Sequence, residues 1–136
     1  MSDDQKKVKI EPGDGLHPLP WPYSHAWKVG NLLFIAGQVA LDEELRLVGP
    51  GDAAEQARQV WRNIEVAVEK AGGKLSDVVR VSTYVADVAD MDAIMRARKE
   101  FFPAGDYPVA TMVEVQKLGL PGLLLETEAT AVIGCS

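Results

Sequence analysis

Two carboxylates late in the chain, Glu126 and Glu128, are the groups best suited to handle a proton. They lie two apart in the β-rich run Leu123 to Ile133, so on a strand both point to one face. Such a pair can polarise a water and carry its proton. It can equally be two solvated carboxylates on an outer sheet face, and the sequence leaves both readings open. His25 adds an imidazole able to act as acid or base near neutral pH, close to Tyr23. Its other reading is a hydrogen-bonded strand histidine. Tyr23 can close over a ligand with ring and hydroxyl, or serve as an interface aromatic. Gly37, lacking a Cβ, can bring its backbone N–H close to a bound oxygen, or mark a bulge. Trp21 adjoins Tyr23 and can line the same hollow, whereas Trp27 and Trp61 read as core or interface anchors. His17 takes no role. Cys135 is the single cysteine, which excludes an internal disulfide and points to a reduced, cytoplasmic compartment. Its position beside the last residue makes it a poor candidate nucleophile.

These groups need a scaffold, and the hydrophobic pattern supplies one. His25 to Val29 and Leu32 to Ala36 flank Gly30-Asn31, a two-residue hairpin signal. Leu41 to Gly51 reads as a loop, after which Asp52 can cap a helix. Ala57, Val60, Trp61, Ile64, Ala67 and Val68 recur at helical spacing until Gly72-Gly73 ends the run. Val78 to Ala86 is a strand, with Val79, Val81, Thr83 and Val85 expected on one face. Asp90 is expected to cap a second helix, with Ile94, Met95, Arg98 and Phe102 in a mixed stripe. Ala110 to Val115 and Leu123 to Ile133 complete the order β-β-α-β-α-β-β. This predicts an α+β fold: one sheet with two helices packed on a single face. The uncovered face is then left to solvent or to a partner, which favours a closed oligomer. Residues 1–20 read as a frayed tail running into a Pro-fixed lead-in, and residues 21–136 as a single domain.

The chain has 136 residues, 47% hydrophobic and 25% charged, with a net charge of −6. An acidic chain without a basic run is poorly suited to nucleic acid or to an anionic membrane surface. Its apolar runs are far too short to span a bilayer.

Several stretches in register resemble the RidA (YjgF, endoribonuclease L-PSP-like) family. They include Pro22-Tyr23-Ser24-His25-Ala26, then Val29 to Gln38, then Glu55-Gln56-Ala57-Arg58 with Asn63-Ile64. Ala71-Gly72, Tyr84-Val85-Ala86-Asp87, Phe101-Phe102, Pro108, Val113-Glu114-Val115 and Glu126-Thr127-Glu128-Ala129 follow in order. The resemblance spans about Pro22 to Val132. It implies a chorismate-mutase-like fold, a homotrimer built around a central barrel, and small-molecule clefts between subunits. It also implies hydrolysis of reactive enamines and imines to a carbonyl compound and ammonia, with no metal or organic cofactor. The alternative is a trimer that binds a small ligand without chemistry. A ribonuclease or translation inhibitor, as older family names suggest, gains little support from the acidic balance.

By this resemblance Glu126 positions water, Tyr23 and Gly37 line the cleft, and Glu114 takes a structural or interface role. Four cleft positions depart from the family pattern. Ala110 stands where the family carries an arginine that grips the substrate carboxylate, and alanine can make neither bond of that fork. Met112 replaces a small residue or cysteine, Met95 an asparagine, and Ala36 a serine. His25 stands where glutamine is frequent. The expected pocket is more apolar and less suited to a small amino-acid-derived anion. No basic residue lies between Lys99 and Lys117, so a replacement cation would have to be Arg96, Arg98 or Lys117.

Overall fold

The computed structural model describes residues 5–136, so the part of the expected tail at residues 1–4 lies outside them. The elements are β1 (Lys7–Ile10), β2 (Ala26–Val29), β3 (Leu32–Gln38), α1 (Ala53–Lys70), β4 (Val78–Val85), α2 (Met91–Phe101), β5 (Val109–Glu114) and β6 (Leu125–Val132). They form a six-stranded sheet in the order β1-β2-β3-β6-β4-β5. All neighbours are antiparallel except β4 and β5, which run parallel and are joined across the sheet by α2. The expected mixed sheet with both helices on one side is therefore present.

Local signals account for most of these boundaries. Gly30 turns the β2–β3 hairpin at φ +59°. Asp52 accepts from the Glu55 amide at 3.1 Å and caps α1. The inner stripe of α1 packs on β3 and β6, whose Leu33, Ile35, Ala129 and Ala131 are buried in the same core. Two buried amides of α1 then tether loops. Gln56 donates to the Gly49 and Gly122 carbonyls and accepts from the Leu124 amide, at 2.9–3.1 Å. Asn63 donates to the Val39 and Leu41 carbonyls. Each fixes a segment that later forms a cavity wall.

Three expectations are corrected. The lead-in is not a frayed tail where it is described: Lys7–Ile10 pairs with β2 as an edge strand, and Leu16 and His17 are buried. Lysines alternating with Val8 and Ile10 suit an edge that must stay wet, and Lys7 Nζ sits 4.1 Å from the Trp27 ring centroid. Val79 does not share a face with Val81. A bulge against β6 between Val78 and Arg80 turns Val78 inward and leaves Val79 37% exposed. Asp90 makes no side-chain cap, because a 3-10 turn over Val88–Asp90 already precedes α2. Asp87 caps that turn instead, accepting from the Ala89 amide.

His25 is 1% exposed, with both ring nitrogens engaged. Nε2 donates to the His17 carbonyl at 2.8 Å, and Nδ1 accepts from the Gln38 amide at 3.1 Å. Burial lowers its pKa; the hydrogen bond to the His17 carbonyl opposes this without cancelling it, and the charges of the His17 ring and Lys70 add to the lowering. The unfolded chain therefore binds the proton more readily, so stability is full above about pH 6.5 and falls as pH drops toward the lowered value. Denaturant titrations between pH 7.5 and 5 should show a slope of at most about 1.4 kcal/mol per pH unit. His25→Gln, which can donate and accept in the same places, should flatten it. An unchanged slope would assign the effect to another group.

Candidate functional site

The two faces of the sheet carry different chemistry. On β6, Leu125, Thr127, Ala129 and Ala131 point to the helices, and Glu126 and Glu128 point to the open face. The register pairs Tyr84 with Glu126 and Ser82 with Glu128. Both carboxylates thus share one face, as their spacing predicts, yet they enter different hollows.

Glu126 lines a cavity of about 210 Å³ together with Trp21, Tyr23, Gly37 and Val39. Gly119, Leu120 and Leu123 close it from the β5–β6 loop. Trp21 and Tyr23 stack at 6.4 Å, both partly exposed. The β3 register shifts between Ile35 and Gln38, so Ala36 and Gly37 form a bulge opposite Glu128. The Glu126 carboxyl lies against the Gly37 backbone: a Cβ at residue 37 would sit 2.8 Å from its carboxyl carbon. The two readings of Gly37, bulge and close approach, hold together. Burial, then the neighbouring Glu128, raises the Glu126 pKa. Burial, then Glu126, raises that of Tyr23. Among the described residues no cation offsets this pair, so a proton is held easily here.

Glu128 accepts from the Tyr84 hydroxyl at 3.0 Å and borders a hollow of about 420 Å³ on the open face. Ser24, Arg80, Ser82 and Thr130 are among its polar lining, and Phe34 and Ala36 lie beside them. Ala36 is therefore next to the Glu126 cavity but not in its wall. Neither hollow includes His25, whose place is the buried hydrogen-bonded one.

Ala110, Met112 and Met95 are elsewhere. Ala110 pairs with Val81 and Met112 with Thr83, so both point to the helix side at the β5 edge, with Met95 on α2. β4 separates β5 from β6, which puts β5 about 10 Å from the Glu126 strand. Opposite faces and that offset keep these residues out of the Glu126 cavity within one chain. Glu114 accepts from the Val88 amide at 2.9 Å, the structural role expected of it. Val39, Leu120 and Leu123 went unmarked in the sequence. The two leucines were signalled by the density of leucines in the loop from Leu118 to Leu124, where apolar side chains need a reason to be; nothing marked Val39.

The model of the family described as Endoribonuclease L-PSP matches residues 18–133. The chain belongs to that family. Among its relatives, the 3-aminoacrylate deaminase RutC of Acinetobacter baylyi is 36% identical over 118 residues, 87% of this chain and 92% of that protein. The 2-iminobutanoate/2-iminopropanoate deaminase of Dermatophagoides farinae is 34% identical over 97 residues, covering 71% and 75%. The crystal structure of the YjgF gene product from E. coli superposes with a TM-score of 0.84 at 29% identity, covering 92% of this chain and 98% of that one. The Rid-type fold is thus shared along nearly the whole chain. Among the described residues no helix is long and apolar enough to cross a membrane, and no cluster of His, Cys, Asp and Glu could hold a metal ion.

Proposed function

We propose that this protein is a cytoplasmic homotrimer that hydrolyses enamines or imines in clefts between subunits. The observation that carries this reading is the Glu126 carboxylate seated on the Gly37 backbone inside a Tyr23-lined hollow. Half a cleft is all that one chain supplies. The β5 edge of a second copy, carrying Ala110 and Met112, with Met95 on α2, is the natural other half, because Ala110 and Met112 face away from Glu126 at home. Exposed apolar side chains support an assembly: Phe34 is 50% exposed on the open face and Val109 69% on β5.

The chemistry follows from the groups present. An enamine tautomerises to the imine, and a water held by Glu126 attacks the imine carbon while its proton passes to the carboxylate. Glu126 returns that proton to the nitrogen to give the neutral carbinolamine, then relays the carbinolamine's hydroxyl proton to the same nitrogen as the C–N bond breaks, so that ammonia leaves a carbonyl product. Glu126 ends as it began. The names of the deaminase relatives support this class of reaction.

Small 2-imino acids are poor substrates in this reading, because position 110 offers no guanidinium. Losing one partner of such a charge pair costs roughly 2–5 kcal/mol. In a coupled amino-acid oxidase assay with a trapping amine, the wild-type protein should speed decay of 2-iminopropanoate weakly or not at all. Ala110→Arg should increase that rate. Rapid wild-type turnover would overturn the assignment of Ala110. A protein that binds ligand in the cleft but hydrolyses no imine would be the binding module instead. A mass measurement in solution checks the trimer.

A further inference from the structure

One cation in the core lacks a countercharge. Arg98, on the inner side of α2, is only 6% exposed. Its Nη2 donates to the Thr83 hydroxyl at 3.1 Å, and its guanidinium lies 5.8 Å from the Trp61 ring centroid. Its Nε, fully buried, has no acceptor. No carboxylate pairs with it among the described residues, and burial lowers its pKa with nothing opposing. A buried cation left unpaired is costly, and a well-packed apolar side chain there would ordinarily be the more stable choice.

The surroundings say where an anion could come from. Thr83, which holds Arg98, is the cross-strand neighbour of Met112, and the next inward pair along β4 and β5 is Val81 with Ala110. Met95 lies one helical turn before Arg98 on α2. Ala110 is exposed, and the two methionines are half-buried. Between the β5 edge and the guanidinium, then, stand a missing side chain and two unbranched ones that change rotamer readily. We propose that Arg98 is the anion-binding residue of the cleft and receives a ligand carboxylate carried at the end of an apolar arm. The arm passes over Ala110 and along Met112 and Met95, so acids with the carboxylate close to the reacting carbon are too short to reach it. This deepens the intersubunit-cleft reading and rests on it.

The test is direct binding, so turnover is not required. Calorimetric titration of the full chain with butanoate, hexanoate and hexanamide should give at least tenfold tighter binding for hexanoate than for either of the others. Arg98→Met should weaken hexanoate at least tenfold, leave hexanamide unchanged, and melt at the same or a higher temperature than wild type. Arg98→Lys keeps the charge without the fork and should retain a reduced carboxylate preference. Wild-type protein that binds hexanoate no better than hexanamide would overturn the proposal, as would equal hexanoate binding by wild type and either variant. Carboxylate binding through Arg98 without hydrolysis of any imine would sink the deaminase reading alone. Hydrolysis with binding indifferent to Arg98 would sink this inference alone.

Discussion

Glu126→Gln is expected to lower turnover of the best imine substrate by roughly 10²–10⁴-fold, the usual worth of a positioned general base. Glutamine keeps the size of the side chain and can still hydrogen-bond a water but cannot take a proton from it. The loss should fall on kcat more than on KM, since a binding role would show the reverse pattern. The pH profile gives an independent readout. Burial and the Glu128 charge both raise the Glu126 pKa, so the acid limb of kcat/KM should lie above the ordinary carboxylate range. Glu128→Gln should move that limb to lower pH. Gly37→Ala reaches the same group through the backbone, because the added methyl occupies space that the Glu126 carboxyl holds. A displacement of about 1 Å is enough for a 10²-fold loss. A Glu126→Gln protein with wild-type kcat would remove Glu126 from the mechanism.

The largest effect on stability is expected at Asp77. This buried carboxylate accepts from the Lys74 and Gly134 amides on Oδ2, and from the Ser136 amide and hydroxyl on Oδ1, at 2.6–3.1 Å. It joins the turn before β4 to the segment after β6. Burial by itself would raise its pKa. The bonds from Ser136, Gly134 and Lys74 more than offset that and hold it far below the ordinary range. Asp77→Ala leaves those donors to water and should cost about 3 kcal/mol, less than the sum of the separate bonds because Gly134 and Ser136 can rehydrate. For pH the sign is that of a depressed acid. The contribution is present above about pH 4 and is lost as pH falls below it toward the folded-state value. Denaturant melts at pH 7 and pH 3 should show the gap between wild type and Asp77→Ala closing at the lower pH. A constant gap would mean that the carboxylate's charge is not what stabilises the junction.

Short-range pattern in the chain was enough for the hairpin at Gly30-Asn31, the cap at Asp52, both helices, and the shared face of Glu126 and Glu128. Each depends on spacing of two, three or four residues, which the backbone geometry reads directly. It was also enough for the family, because the matching stretches keep their order from Pro22 onward. Strand order was not legible. β6 enters between β3 and β4, and β5 runs parallel at the edge, through pairings that span tens of residues. That order decides that Ala110 and Met112 turn away from Glu126. The bulge that exposes Val79, the burial of His25 on Gln38, and the entry of Lys7–Ile10 into the sheet likewise depend on what lies across the ladder. Arg98 shows the division most plainly. Helical spacing puts it on the inner face of α2, but whether an acid waits for it there depends on which side chains the sheet brings opposite, and among the described residues none does.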